Sequence, residues 1–265
     1  MTDPADLVRL ERADGVATVT LDRGGAPNAL DTALKEALRD TLAEVAADPA
    51  VRAVVLTGAG RTFCVGQDLN EHVRELERDR AGAWRTVAEH YNLITTAIAT
   101  MPKPVVAAVN GVAAGAGASF AFACDLRVVA RSAGFNLAFA AIGLTADSGA
   151  SWTLPRLVGW GRAAELLLLP RTVPAEEALA LGLATRVVDD DAVLDTAQEL
   201  AARLAAGPTL AYAAIRRSLA YAAGHGLEET LAYEAEQQLQ VGTSDDHAGA
   251  VSAFVRKEKP AFSGR

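Results

Sequence analysis

The sequence predicts an α/β fold that continues into a wholly helical C-terminal region, and three observations carry that expectation. Short β-branched runs alternate with amphipathic stretches up to about residue 175. The second and central runs end in loops rich in glycine, or in Asn-Gly, which breaks a strand sharply. Beyond Ala175 the strand pattern stops and only helical periodicity continues. Gly207-Pro208 is the expected boundary between an α/β core (1–206) and a helical region (207–265).

In chain order, Val16 to Leu21 (VATVTL) alternates as a strand, and Asp22 to Pro27 is a loop. Asp31 is placed to cap a helix over Thr32 to Ala46. Val51 to Thr57 is a second buried strand, stopped by Gly58-Ala59-Gly60. After Phe63 to Leu69 comes a charged helical stretch to about Arg80, which Asp68 is expected to cap. Trp84 to Thr100 reads as one amphipathic helix, and Met101-Pro102-Lys103-Pro104 ends it. Leu126 to Ala130 is another strand, Phe135 to Ala146 is mostly uncharged, and a helix begins at Ser148 or Gly149. The later helices are Ala175 to Leu181, Asp195 to Ala206, Leu210 to Ala222, Leu227 to Val241 and Asp246 to Val255. A run of amphipathic helices this long needs a surface to cover, and a neighbouring subunit is one option.

The chain is organised around Val105 to Asp125 (VVAAVNGVAAGAGASFAFACD). A β-branched run meets the Asn110-Gly111 turn, and small residues then merge into an apolar helix. A strand, a loop without side-chain bulk and a helix N-terminus leave backbone N–H groups unused and approachable. Such a place suits an anion, or a carbonyl oxygen about to become one. Close packing with no ligand is the other reading. A membrane span is disfavoured by the alanine and glycine content and by a turn inside the apolar run. A dinucleotide loop lacks its third glycine, since Phe120 stands there.

Composition sets outer limits. At 265 residues, with 51% hydrophobic and 22% charged, the chain has the make-up of a soluble globular protein of one or two domains. A net charge of −8 offers no basic footprint for nucleic acid. The N-terminal residues carry both charge signs and no apolar core of a signal peptide, so the expected location is the cytoplasm, with no membrane partner. Cys64 and Cys124 form no disulfide framework or metal cluster. His72, His90, His225 and His247 show no metal spacing and are expected on solvated faces. Ser119, Ser148 and Ser151 lack a nucleophile elbow and a partner histidine, which disfavours a hydrolase.

Four segments, in order and spacing, resemble the crotonase (enoyl-CoA hydratase/isomerase) superfamily: Asn28-Ala29-Leu30, Phe63 to Leu69, the NGVAAGAG loop with Cys124-Asp125, and Gly143 to Arg156. The resemblance spans about Val8 to Phe262. It implies a spiral of ββα turns and a trimer or paired trimers held by the C-terminal helices. It also implies an acyl-CoA thioester substrate, with coenzyme A as part of that substrate and no metal, nicotinamide or flavin. The thioester oxygen would sit between the backbone N–H groups of Gln67 and Ala116. Around them the resemblance places Cys64, Val65, Gly66, Asp68, Leu69, Gly115, Ser119, Phe139, Leu144 and Trp152, with Phe254, Lys257 and Lys259 near a neighbour's adenine. Asn70 to Arg85 matches what is usually a mobile wall of the acyl pocket.

Hydratases of the family use two glutamates, and the matching positions here are Ser119 and Phe139, neither of which is a base. Some isomerases of the family carry an aspartate where this chain has Asp147. The segments are most similar to those of the ring 1,2-epoxyphenylacetyl-CoA isomerases. A single carboxylate suits an isomerase, because one base can take a proton from one carbon and return it to another. Leu144, Ala146 and Trp152 form an apolar neighbourhood that should raise the Asp147 pKa. From the sequence alone Asp147 can also be only an N-cap. Where many relatives have a basic residue before Asn-Ala-Leu, this chain has Gly25-Ala26-Pro27. Asp125 is expected to pair with Arg127 or Arg156.

Overall fold

The computed structural model describes residues 7–24 and 26–265. Gly25, in the departure just noted, and the first six residues of the N-terminal segment lie outside the described residues. A six-stranded sheet has the order β1 (Val8–Ala13), β2 (Val16–Leu21), β3 (Ala53–Gly58), β5 (Val105–Val109), β7 (Leu126–Ala130) and β10 (Arg186–Val188). A smaller sheet has the order β4 (Thr62–Cys64), β6 (Val112–Ala114), β8 (Gly134–Asn136) and β9 (Thr172–Pro174). All neighbours pair in parallel except the β1–β2 hairpin and the β8–β9 edge.

Successive turns of the chain give one strand to each sheet and then a helix, which makes the ββα spiral. Strands β2, β3 and β5 are buried along their whole length, as expected of parallel strands covered on both faces. Helix α1 (Thr32–Ala47) buries Leu34, Leu38, Leu42 and Val45, each worth about 1.5–3 kcal/mol of apolar transfer. Asp31 caps it, accepting from the Leu34 N–H at 2.9 Å. Next come α2 (Leu69–Arg78), α3 (Asn92–Thr100) and α4 (Ala116–Ala123). Every residue of α4 is buried, which explains a sequence that is apolar all round. They are followed by α5 (Ala150–Val158), α6 (Trp160–Leu168), α7 (Ala175–Leu181) and α8 (Val193–Ala205). Helix α8 packs Val193, Ala197, Ala201 and Ala205 against the large sheet.

Several expectations need correction. Trp84 to Thr100 is helical as expected but not regular: a 3-10 turn (Gly82–Trp84) opens it, and a π-helical turn (Val87–Tyr91) runs directly into α3. Residues beyond Ala175 are not wholly helical, because β10 closes the large sheet beside β7. Its three residues are too short for a periodic pattern to register. Strand β6 lies inside the stretch taken as a small-residue loop; β-propensity is low there, and pairing with β4 and β8 overrides it. Strand β1 begins ahead of the first expected strand, where charged side chains mask the alternation.

Around Gly207-Pro208 the chain stays fastened to the core. Arg52 donates to Thr209 Oγ1 at 2.9 Å, Gly207 O at 2.6 Å and Phe262 O at 2.9 Å. From α9 (Thr209–Ala222), Arg216 pairs with Asp125 at 2.8 Å. It also donates to Ile98 O at 2.7 Å, Ala99 O at 3.2 Å and Lys103 O at 2.7 Å, so a cation sits at the C-terminal end of α3. The expected partners of Asp125 are therefore wrong. Arg127 is buried and donates to Leu183 O and Cys124 O, while Arg156 stacks on Trp152. Helices α10 (Leu227–Gly242) and α11 (Asp245–Val255) complete the chain, and Ile215, Leu219, Leu231 and Leu239 stay exposed on α9 and α10. No described helix is long and apolar enough to cross a membrane.

Candidate active site

The parallel β4–β6 pair delivers two loops to one place. Gly66 follows β4 with φ +83°, and Gly115 follows β6 with φ +52°, values that L side chains adopt only with strain. A Cβ on Gly66 would lie 2.9 Å from Ala114 O and 3.4 Å from Ala116 N, so the loops nearly touch. The Leu30 N–H donates to Gly66 O at 2.8 Å and the Asp68 N–H to Leu30 O at 3.1 Å, a bridge that skips the Gln67 N–H. Ala116 is the first residue of α4, so its N–H has no helical partner. Among the described residues nothing accepts from either N–H.

Gln67 and Ala116 both line a cavity of about 200 Å³. Of the expected residues, the structure gathers Val65, Gly66, Gln67, Leu69, Gly115, Ala116, Phe139, Leu144 and Asp147 in its lining. Asp147 is the one carboxylate among those lining residues. It is half-buried, and burial raises its pKa; the Ser148 hydroxyl, donating to Oδ1 at 2.8 Å, offsets part of that rise.

The carboxylate does not cap α5. Gly149 holds the N-cap position without any side-chain cap, and the Asp147 backbone carbonyl, not its side chain, accepts from the Ala150 N–H at 2.9 Å. Ser148 (φ +51°) and Gly149 (φ +77°) are consecutive left-handed residues. For Ser148 that conformation costs on the order of 1–3 kcal/mol. Thr95 steadies the turn by donating to Ser148 O at 3.2 Å. The turn delays the helix, so the cavity rather than the helix end receives the carboxylate.

The enoyl-CoA hydratase/isomerase family model matches residues 11–265, nearly all of the described chain. The chain belongs to the enoyl-CoA hydratase/isomerase family. It is 41% identical over 251 residues to the 1,2-epoxyphenylacetyl-CoA isomerase of Escherichia coli K12, covering 95% of this chain and 96% of that one. It is also 31% identical over 253 residues to the short-chain-enoyl-CoA hydratase of Clostridium acetobutylicum, covering 95% of each. A solved structure from Mycobacterium abscessus, provisionally named an enoyl-CoA hydratase/isomerase, superposes with a TM-score of 0.93 at 45% identity, covering 97% of this chain and all of that one. The protein is thus an enzyme of the enoyl-CoA hydratase/isomerase family with a crotonase fold.

Other expected residues of this family member lie apart from the cavity. Cys64 is fully buried, its thiol pushed up to about 12 by burial, and its carbonyl abuts Gly117. Ser119 is also fully buried, with its hydroxyl donating to Gly115 O at 3.1 Å. Asp68 caps α2 through the Glu71 N–H at 2.9 Å; that bond and the Arg23 ion pair hold its pKa low. Trp152 lies in an adjoining groove beside Asp147, under the Arg156 guanidinium at 4.2 Å from the ring centroid. Lys257 is exposed at the end of α11, outside the cavity lining.

Two histidines are not on solvated faces as expected. His72 meets Trp84 edge-on at 5.0 Å in the cavity wall, and His90 is largely enclosed beside Thr86. Tyr91 and Trp84 line the cavity and were missed from the sequence. Tyr91, Ile94 and Ile98 share one buried helical face, a periodicity that flags Tyr91 as inward-facing.

Proposed function

We propose that the protein is an acyl-CoA isomerase that works through an oxyanion-stabilised enolate, with Asp147 as proton shuttle. The observation that carries this reading is the half-buried Asp147, freed from capping, in the cavity to which the unpaired Gln67 and Ala116 N–H groups belong. In the proposed reaction the Asp147 carboxylate removes a proton from the carbon beside the thioester carbonyl. The electron pair moves onto the carbonyl oxygen, which accepts from both N–H groups. Collapse of this enolate draws the same proton onto the far carbon of the shifted double bond. Nothing is gained or lost, which is the balance of an isomerisation.

An epoxide at the next carbon would open from the same enolate, with the C–O pair leaving on oxygen and the proton delivered there. Each oxyanion donor is worth about 2.7–4 kcal/mol in comparable sites. The raised pKa brings the carboxylate closer to that of the carbon acid it must deprotonate, and eases the proton's return. The reaction so written uses no resident cofactor, coenzyme A being part of the substrate. Phe139 places an apolar ring in the cavity where a hydratase would hold water, which favours isomerisation.

The exposed apolar face of α9 and α10 is proposed to be covered by copies of this chain, in a trimer or a pair of trimers. Lys257 would then reach a neighbouring subunit's coenzyme A.

The test compares wild type with Asp147→Asn, following conversion of 3-enoyl-CoA to the conjugated 2-enoyl-CoA, alongside hydration of crotonyl-CoA. Isomerisation that collapses in the variant, with negligible hydration by either protein, supports the shuttle. Hydration that is strong and survives the substitution overturns it.

A further inference from the structure

A polar cleft adjoins the acyl cavity, with Gln67, His72 and Thr86 in both linings, and it holds an ammonium that the reaction above does not use. Lys35 is 1% exposed although it stands on α1 beside the apolar face of Leu34, Leu38 and Leu42. Burying an ammonium is costly unless it is well partnered. Its Nζ lies 2.8 Å from Thr86 Oγ1, 3.3 Å from Gln67 Oε1 and 3.7 Å from Glu71 Oε1, with the Tyr91 ring centroid at 5.4 Å. The Tyr91 hydroxyl donates to the same Gln67 oxygen, and Gln67 Nε2 donates to Asp68 O at 3.3 Å.

Donor directions show what this network can do. Gln67 Oε1 only accepts, so two donors converge on it and no proton passes from Lys35 to Tyr91. Thr86 Oγ1 accepts from Lys35 and lies 3.1 Å from His90 Nδ1, the direction of that second bond being set by the histidine tautomer. The network fixes shape and carries nothing.

The shape it fixes belongs to the peptide between Gly66 and Gln67. That peptide is anchored at its carbonyl by Leu30, but the preceding Gly66 is conformationally permissive and the Gln67 N–H has no acceptor. The second anchor on this residue is its side chain, held by Lys35 and Tyr91.

We propose that Lys35 is a positioning residue of the oxyanion hole, clamping the Gln67 side-chain carbonyl together with Tyr91 and so fixing the Gln67 N–H toward the thioester oxygen. This rests on the assignment of that N–H as an oxyanion donor, made above.

The experiment uses the full-length protein and butyryl-CoA with an isotope-labelled thioester carbonyl, read by infrared difference spectroscopy with steady-state isomerisation in parallel. Wild type is expected to move the carbonyl band to lower frequency. Lys35→Met is expected to lose much of that displacement and to lower kcat by about 10- to 100-fold, the scale for misplacing a reacting group by an ångström, with KM little changed. A Lys35→Met protein that keeps the full band displacement and kcat overturns the proposal, whatever its melting temperature.

Should Lys35→Met not fold, Gln67→Leu keeps the N–H and removes the clamped oxygen. It must reproduce the loss, and a retained displacement overturns the proposal. A wild-type band that does not move at all refutes the oxyanion assignment itself and takes this proposal with it. That outcome is distinct from a moved band that is insensitive to Lys35.

Discussion

Replacing Gly117 by alanine tests whether the spacing of two backbones sets the rate of this enzyme. The added Cβ would stand 2.2 Å from Cys64 O and 2.8 Å from Cys64 C, where contacts under 3.0 Å essentially never occur. The obstacle is backbone, so no rotamer change relieves it, and α4 and β4 must part by about 0.8 Å. Gln67 lies three residues beyond Cys64, and Ala116 directly precedes Gly117. The movement therefore falls on the gap between the two N–H groups. A hydrogen bond near 2.9 Å lengthened by that amount reaches about 3.7 Å and is no longer one. Losing one oxyanion donor costs about 10²–10³ in kcat, and the overpacking itself costs on the order of 1–3 kcal/mol of stability. The assay is steady-state isomerisation beside thermal unfolding, with Gly161→Ala as control because a Cβ there meets nothing within 4 Å. A folded Gly117→Ala enzyme with wild-type kcat would refute the reasoning.

Two further outcomes follow from Asp147. Burial raises its pKa and the Ser148 hydroxyl lowers it, so the acid limb of the kcat/KM profile is expected above the ordinary aspartate range, and Ser148→Ala should move it higher still. A limb that stays put or moves down in a pH–rate series contradicts the assignment. The stability consequence has the opposite sign from that of an ion-paired aspartate. With its folded pKa above the unfolded one, the wild type loses stability as pH rises from the unfolded value through the folded value. Asp147→Asn should therefore melt higher than wild type at neutral pH, and the difference should shrink as pH falls below the unfolded-state pKa. Melting curves at neutral and acid pH check this directly.

Much of the framework was legible because it rests on strong local signals. Leu21, Val54 and Val106 sit in short runs rich in β-branched residues, and Asp31 and Asp68 precede their helices as caps usually do. The loop chemistry at Gly66 and Gly115 was readable because those positions have positive φ. What stayed hidden depends on partners remote in sequence. Strand β10 exists through pairing with β7, some sixty residues earlier, and Asp125 found Arg216 across 91 residues, not the nearer arginines. Lys35 and Tyr91 carry no motif. Only the folded chain brings α1 and the π-helical turn together over Gln67. Ser119, by contrast, looked like a pocket residue in sequence, but its helix is buried on every side and its hydroxyl turns back to Gly115 O.

The parallel β4–β6 pair has a consequence for how such an enzyme can be reprogrammed. The positions of the Gln67 and Ala116 N–H groups follow first from the spacing of two strands and from three glycines, with the clamped Gln67 side chain as the further anchor proposed above. Side-chain substitutions that fit those backbones and spare the Gln67 clamp leave the pair of donors in place. Asp147 and Phe139 stand on other segments and can be exchanged without touching that pair. On the mechanism proposed above, the scaffold separates an electrophile holder from an exchangeable acid–base set. Relatives of similar coverage can then carry the names isomerase and hydratase on one backbone. For a designer, the place to write new chemistry into this chain is the wall facing the donors, while the glycines that hold them stay untouched.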